Sequence, residues 1–346
     1  MREYAPESFV ARYDKRAREK RSVLCVGIDP TAKHIPPKFG FGSASNLANW
    51  WAYLKLVIEL AAQYAAQVKP QSAFYEAVMR LGGMELLYKV VCYAHELGLL
   101  ATIDAKRQDI GNTDEHYALW IFGDCDGDGD NWMVTGLDGY NGFEFDACTR
   151  NIYLGPTFWP NDKEQNWWPY MQKGKMPILM CRTSNGEAPW LQDLSLSRNQ
   201  PDGRIVDPNF SLVYQWVAGE IQRLDAEAAE RSGGVACIGA VVGATYPQEA
   251  MICRQLAPDV FFLIPGYGAQ GGGAAGAVAG FPNDGRLLGT VNSSRGITTA
   301  WADKNGDPKP GDPLMHVEAA IVDANNELNE ALEAKLGLDP YGALAA

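Results

Sequence analysis

Eight short apolar runs punctuate the chain, at residues 22–28, 65–68, 99–103, 131–137, 178–181, 235–242, 260–264 and 288–291. Segments of helical periodicity separate most of them. Asn49-Trp-Trp-Ala-Tyr-Leu-Lys-Leu-Val-Ile-Glu-Leu60 is one such segment, and residues 212–231 are another. Short, nearly continuous apolar runs read as strands buried on both faces, which is the habit of parallel sheets. Parallel neighbours need a crossover connection, and a helix supplies it. A count of eight favours closure over an open sheet. The predicted fold is therefore α/β, a (β/α)8 TIM barrel with extra loop insertions. It forms a single domain over 1–346, with a barrel core at about 20–300 and a C-terminal helical extension at about 301–346.

Composition narrows the function classes. At 47% hydrophobic and 21% charged residues, the chain can bury a full core and is ordinary for a soluble protein. No window reaches the roughly 20 apolar residues of a membrane span, and the polar start Met1-Arg-Glu-Tyr-Ala-Pro-Glu-Ser lacks a secretory signal. A net charge of −12 argues against a nucleic-acid surface, so an anionic ligand must be held by a few placed cations and backbone N–H groups. The seven cysteines, at positions 25, 92, 125, 148, 181, 237 and 253, form no Cys-x-x-Cys pair. Neither zinc nor a disulfide framework is expected, and a reducing cytoplasm is.

Polar and glycine-rich residues gather just after the apolar runs. They are Asp29-Pro30, Lys69-Pro70, Asp104 onward, Arg182-Thr-Ser-Asn185, Gly243-Ala-Thr245, 265–273 and Asn292-Ser-Ser-Arg295. Barrel enzymes build their sites at that face. The most charged stretch is Asp104-Ala-Lys-Arg-Gln-Asp109-Ile-Gly-Asn-Thr113. Strand alternation puts Asp104 and Lys106 on one face, with Asp109 in the loop that follows. Opposite charges at the mouth of a buried strand are costly unless they pair or act in catalysis. Pro265-Gly-Tyr-Gly-Ala-Gln270-Gly-Gly-Gly273 offers the backbone freedom that a phosphate-contacting lid needs. Arg295 offers a guanidinium fork suited to a phosphate dianion, after the strand where barrels commonly hold phosphate.

The string over 104–113 resembles the signature of orotidine 5'-phosphate decarboxylase. The similarity covers most of 20–300 and is nearest to the longer bacterial branch, the type 2 enzymes. Val68-Lys69-Pro70-Gln71-Ser-Ala-Phe-Tyr-Glu76 resembles that branch's Lys-Pro-x-x-Ala-Phe segment. The resemblance implies a catalytic array of Lys69, Asp104, Lys106 and Asp109, which converts orotidine 5'-monophosphate to UMP and CO2 in pyrimidine synthesis. It implies no metal and no organic cofactor. Asp29 is implied at a ribose hydroxyl, although Asp-Pro after a strand is also an ordinary turn. Ser184 is implied at the pyrimidine, with Thr183 as a competitor and a helix N-cap as the alternative. Gln270 is implied at the phosphate. Asp109 and Thr113 match positions that the family supplies from the neighbouring subunit, which implies a homodimer with shared active sites.

Two rivals remain in view. A metal-dependent phosphosugar synthase or decarboxylase on a related barrel would carry an extra acidic ligand before the motif, and Ala101-Thr-Ile-Asp104 offers none. A non-catalytic nucleotide-binding barrel would have lost part of the array. Two insertions stand outside the pattern. Asp124-Cys-Asp-Gly-Asp-Gly-Asp130 has calcium-like spacing, but its twelfth position is Thr135, so a solvated acidic turn is expected. The segment 155–177, with Trp159, Trp167 and Trp168, reads as loop packing or an oligomer contact.

Overall fold

The computed structural model describes residues 3–40, 47–123, 142–158, 167–196, 211–268 and 271–342. Eight strands close a parallel barrel in chain order: β1 (Leu24–Ile28), β2 (Gln67–Pro70), β3 (Leu100–Arg107), β4 (Ala147–Arg150), β5 (Met176–Arg182), β6 (Gly239–Val242), β7 (Phe261–Ile264) and β8 (Gly289–Ser293). Closure is made by β8 on β1, with Leu24 opposite Val291 and Val26 opposite Ser293. Every residue of β1, β2 and β7 is buried, as expected of strands walled in by helices.

Seven of the eight runs locate a strand to within a few residues. The fourth does not. The expected strand at 131–137 lies outside the described residues, and β4 is Ala147–Arg150 instead. This short strand reads as polar because it carries Thr149 and Arg150, both buried through compensating bonds rather than through apolarity. The acidic segment 124–130 and Trp159 also lie outside the described residues. Trp167 is fully buried and meets Phe122 edge-on at 5.2 Å, so this part of the Trp-rich segment is packing.

The outer helices bury single stripes. Helix Leu47–Tyr64 hides Trp50, Tyr53, Leu54, Val57, Ile58 and Ala61, the spacing of one helical face. The N-terminal helix Phe9–Lys20 is capped by Ser8, whose hydroxyl accepts from Ala11 N–H. Its Tyr13 packs on Phe261 of β7 and donates to the Gly289 carbonyl of β8 at 2.8 Å. The C-terminal helix Pro313–Leu336 starts at an Asp312 cap and ends at Gly337 in the left-handed region. Its buried stripe of Val317, Ile321, Leu328 and Leu332 lies against the barrel's outer layer. Glu318 accepts from Tyr64 at 2.7 Å, and Lys335 donates to the Ala279 carbonyl at 3.0 Å. The six cysteines among the described residues form no disulfide with one another. No described helix is long and apolar enough to cross a membrane.

Candidate active site

The C-terminal ends of β2 to β7 surround a cavity of about 410 Å3 lined by Lys69, Asp104, Lys106, Thr149, Thr183 and Ser184, with apolar walls from Met180, Val241 and Leu263. That size suits a small ligand. Asp104 is its electrostatic centre. One carboxylate oxygen, Oδ2, accepts from Lys69 Nζ at 3.3 Å. The other accepts from Lys106 Nζ at 2.6 Å and from Thr149 Oγ1 at 2.7 Å. Burial, the largest single effect, raises the Asp104 carboxyl. Lys69, Lys106 and the bonds from Lys106 and Thr149 overcome it and hold the group well below the usual carboxylate range. Burial also pulls the Lys69 ammonium down, but Asp104 and Asp29 together leave it above its ordinary value. A lysine only 4% exposed keeps its charge here because two carboxylates face it.

Alternation brings Asp104 and Lys106 together as expected, yet the strand that does so is irregular. Its register with β4 slips between Ile103 and Arg107, and Lys106 sits in the left-handed region with φ 51°. A non-glycine residue there costs about 1–3 kcal/mol, and such strain concentrates at functional sites. Thr149 anchors the bend, since its Oγ1 accepts from Lys106 N–H at 3.1 Å while donating to Asp104. Sequence reasoning missed Thr149 because it placed the fourth strand elsewhere.

The other expected site residues fall into four groups. Asp29, at the end of β1, accepts from Gln71 N–H at 3.1 Å and so fixes the chain leaving β2 beside Lys69. Ser184 and Thr183 both line the cavity, but the Thr183 hydroxyl is engaged locally. It donates to Asn185 Oδ1 and accepts from Gln192 Nε2, each at 2.7 Å. Gly243 makes the close approach of this loop possible, for a Cβ there would stand 2.7 Å from Ser184 Cα. Arg295 begins a short helix directly after β8 and is exposed, and its guanidinium makes no hydrogen bond or ion pair among the described residues. Gln270 lies outside the described residues. The flanking loop turns through Gly266 and Gly268 at positive φ, and Tyr267 donates to Glu327 of the C-terminal helix at 2.6 Å.

Asp109 and Thr113 do not join the array within their own chain. Neither lines the cavity, and the Asp109 carboxylate instead accepts from Ile110 N–H at 2.8 Å. Thr113 is exposed, and so is the adjoining Ile110, at 61%.

Comparison with known proteins gives this arrangement its family. Residues 22–134 match the model of the Orotidine 5'-phosphate decarboxylase / HUMPS family. An orotidine 5'-phosphate decarboxylase of Halorubrum lacusprofundi is 33% identical over 94% of this chain and 98% of its own length. The chain belongs to the orotidine 5'-phosphate decarboxylase family. A second member, from Rhodopirellula baltica, is 31% identical over 90% of this chain and 94% of its own. Among solved structures, the orotidine-monophosphate decarboxylase of Leishmania donovani superposes with a TM-score of 0.65 at 26% identity, covering 94% of this chain and 98% of that one. A Toxoplasma gondii structure described as a putative decarboxylase of the same kind reaches a TM-score of 0.73 at 23% identity, a likeness of fold. It covers 96% of this chain and 98% of that one. Similarity to decarboxylases of the family thus extends over nearly the whole length.

Proposed function

We propose that this chain decarboxylates orotidine 5'-monophosphate to UMP and CO2, without metal or organic cofactor, as a step of pyrimidine nucleotide synthesis. The observation that carries the reading is the Lys69–Asp104–Lys106 array, built around one carboxylate at the mouth of a barrel of this family. Cleavage of the C6–carboxylate bond leaves its electron pair on C6 with no adjacent π system to receive it. Fixed charge must therefore do what an electron sink does elsewhere. Asp104 stands near the substrate carboxylate, and the repulsion between them is relieved as neutral CO2 departs. Lys106 stabilises the charge growing at C6 and delivers its proton there, then regains one from water. Lys69 holds Asp104 in place and reaches the ribose hydroxyls with Asp29.

Ser184 contacts the pyrimidine, as the position that lines up with the family's serine, and both it and Thr183 line the cavity. Gln270 and Arg295 take the phosphate, whose remote binding energy closes the glycine-rich loop. Asp109 and Thr113 complete the site of a second copy, which makes the protein a homodimer with shared sites. Support comes from their position outside their own cavity beside exposed Ile110. The length and the Lys69-Pro70 segment support the type 2 branch. Six cysteines that form no disulfide among the described residues fit the reducing cytoplasm.

The test is the loss of orotidine-monophosphate absorbance in the presence of a chelator. Full activity is expected. Activity that vanishes on chelation and returns with magnesium would identify the metal-dependent rival instead. Mixing Lys106→Ala with Asp109→Ala chains under subunit exchange tests the shared site. Half the dimers become mixed and each holds one intact site, so roughly a quarter of wild-type activity is expected.

A further inference from the structure

The segment that carries Asp109 is held by a network that the reaction itself does not use. Arg150, the last residue of β4, meets Asp114 of the helix Gly111–Phe122 in a bidentate ion pair, both bonds 2.7 Å. Both side chains are completely buried, and the guanidinium lies 4.4 Å from the Trp167 ring centre and 5.1 Å from that of Phe158. A fully desolvated ion pair adds little over an apolar pair of the same volume, so what it offers is fixed geometry. Here that geometry is passed to Asp109. Asp114 Oδ1 lies 3.3 Å from Asp109 N–H, and Thr157 Oγ1 lies 2.9 Å from Asp114 Oδ2 and 3.3 Å from the Asp109 carbonyl. Arg150 donates to the same hydroxyl. One residue earlier, Gln108 makes a second clamp, donating to the Gly155 carbonyl at 2.8 Å and accepting from Leu154 N–H at 3.0 Å. Asp114 of the helix therefore holds the Asp109 N–H, and Thr157 of the loop after β4 stands against its carbonyl.

We infer that Arg150, Asp114 and Thr157 are positioning residues that aim Asp109 of one protomer into the active site of the other. The inference rests on the shared-site reading above. It makes a claim that a merely local role does not: damage to this network is felt in the partner's cavity and spares the chain's own. A few tenths of an ångström at the Asp109 backbone are enough to disturb a charge array that works by pre-set geometry.

Thr157→Val is the variant of choice, because it removes one hydroxyl at a half-buried position while leaving the Arg150–Asp114 pair in place. Its homodimer should lose about tenfold in kcat/KM, the worth of one hydrogen bond in a site of this kind, and Thr157→Ser should restore the activity. Two heterodimers, isolated through different tags on the two chains, then decide the direction of action. Paired with Lys106→Ala, the one working site combines the variant chain's Lys106 with an undamaged Asp109 loop, so per-site activity should equal wild type. Paired with Asp109→Ala, the one working site uses the Asp109 of the Thr157→Val chain, and the tenfold loss should persist. Equal activity in the two heterodimers overturns the inference, as does a Thr157→Val homodimer with wild-type kcat/KM. The control is the Lys106→Ala and Asp109→Ala heterodimer. If it is isolated and inactive, the shared site itself is refuted and this inference falls with it. If it is active, any failure belongs to the positioning network alone.

Discussion

The two ends of the cavity hold their charges in opposite ways. Around β2, β3 and β4 every charge has a partner before any ligand arrives: Lys69 and Lys106 both rest on Asp104, and Thr149 locks the third bond. Around β7 and β8 the one cation in the motif, Arg295, is exposed and without a partner among the described residues, and the loop opposite it turns on glycines. On the proposed function, the difference follows the work each end does. Charge that must stabilise a transition state is useful only if its geometry is already set, since reorganisation during the reaction forfeits the gain. Charge that captures a phosphate dianion can meet it in water and let the loop close afterwards.

Substitutions at each end probe that contrast. Lys106→Ala should have the largest effect, at least about 10³-fold in kcat, with UMP affinity by calorimetry within a few-fold of wild type. Retention of a tenth of the turnover would remove Lys106 from the proton step. Arg295→Ala should cost about 2–3 kcal/mol, or roughly 30–150-fold in kcat/KM, and the loss should largely disappear with orotidine lacking its phosphate. Equal losses on both substrates would make Arg295 structural and erase the contrast between the two ends.

Gly243→Ala sits between the two. Its new Cβ would meet Ser184 Cα at 2.7 Å and push the loop after β5 off the end of β6. A rise in KM of about tenfold is expected while the melting temperature falls only modestly. An unchanged KM would show that Ser184 is not at the substrate.

The smallest effect concerns stability. Because the Asp104 carboxyl is held below its ordinary value in the folded chain, its ionised form adds stability that is complete above the unfolded value of about 4 and drains away as pH falls further. The melting-temperature difference between wild type and Asp104→Asn, a few degrees at pH 6, should therefore shrink below about pH 4. A difference independent of pH would mean that the charges at the β3 end are not pre-paired.

Legibility differed between the same regions for physical reasons. Seven strands could be read because apolar runs and helical stripes record burial directly, and Lys69, Asp104 and Lys106 could be read because they share one contiguous pattern and its neighbouring strand end. Strand β4 could not be read: a four-residue strand whose burial depends on Arg150 pairing with Asp114 and on Thr149 bonding Asp104 carries no hydrophobic signature. The left-handed turn at Lys106 was equally hidden, because strand periodicity assumes the regular backbone that this residue departs from.

The sequence by itself determined the barrel, the end of it that carries the polar residues, and the family. Burial patterns and contiguous motifs are local, and each survives without knowledge of its neighbours. Only the tertiary structure decided which hydroxyl braces the array, where the fourth strand runs, and that Asp109 stays out of its own cavity while Asp114 and Thr157, both bonded by Arg150, contact its backbone. Those are relations between residues up to 48 positions apart, set by how the adjacent strands β3 and β4 end side by side.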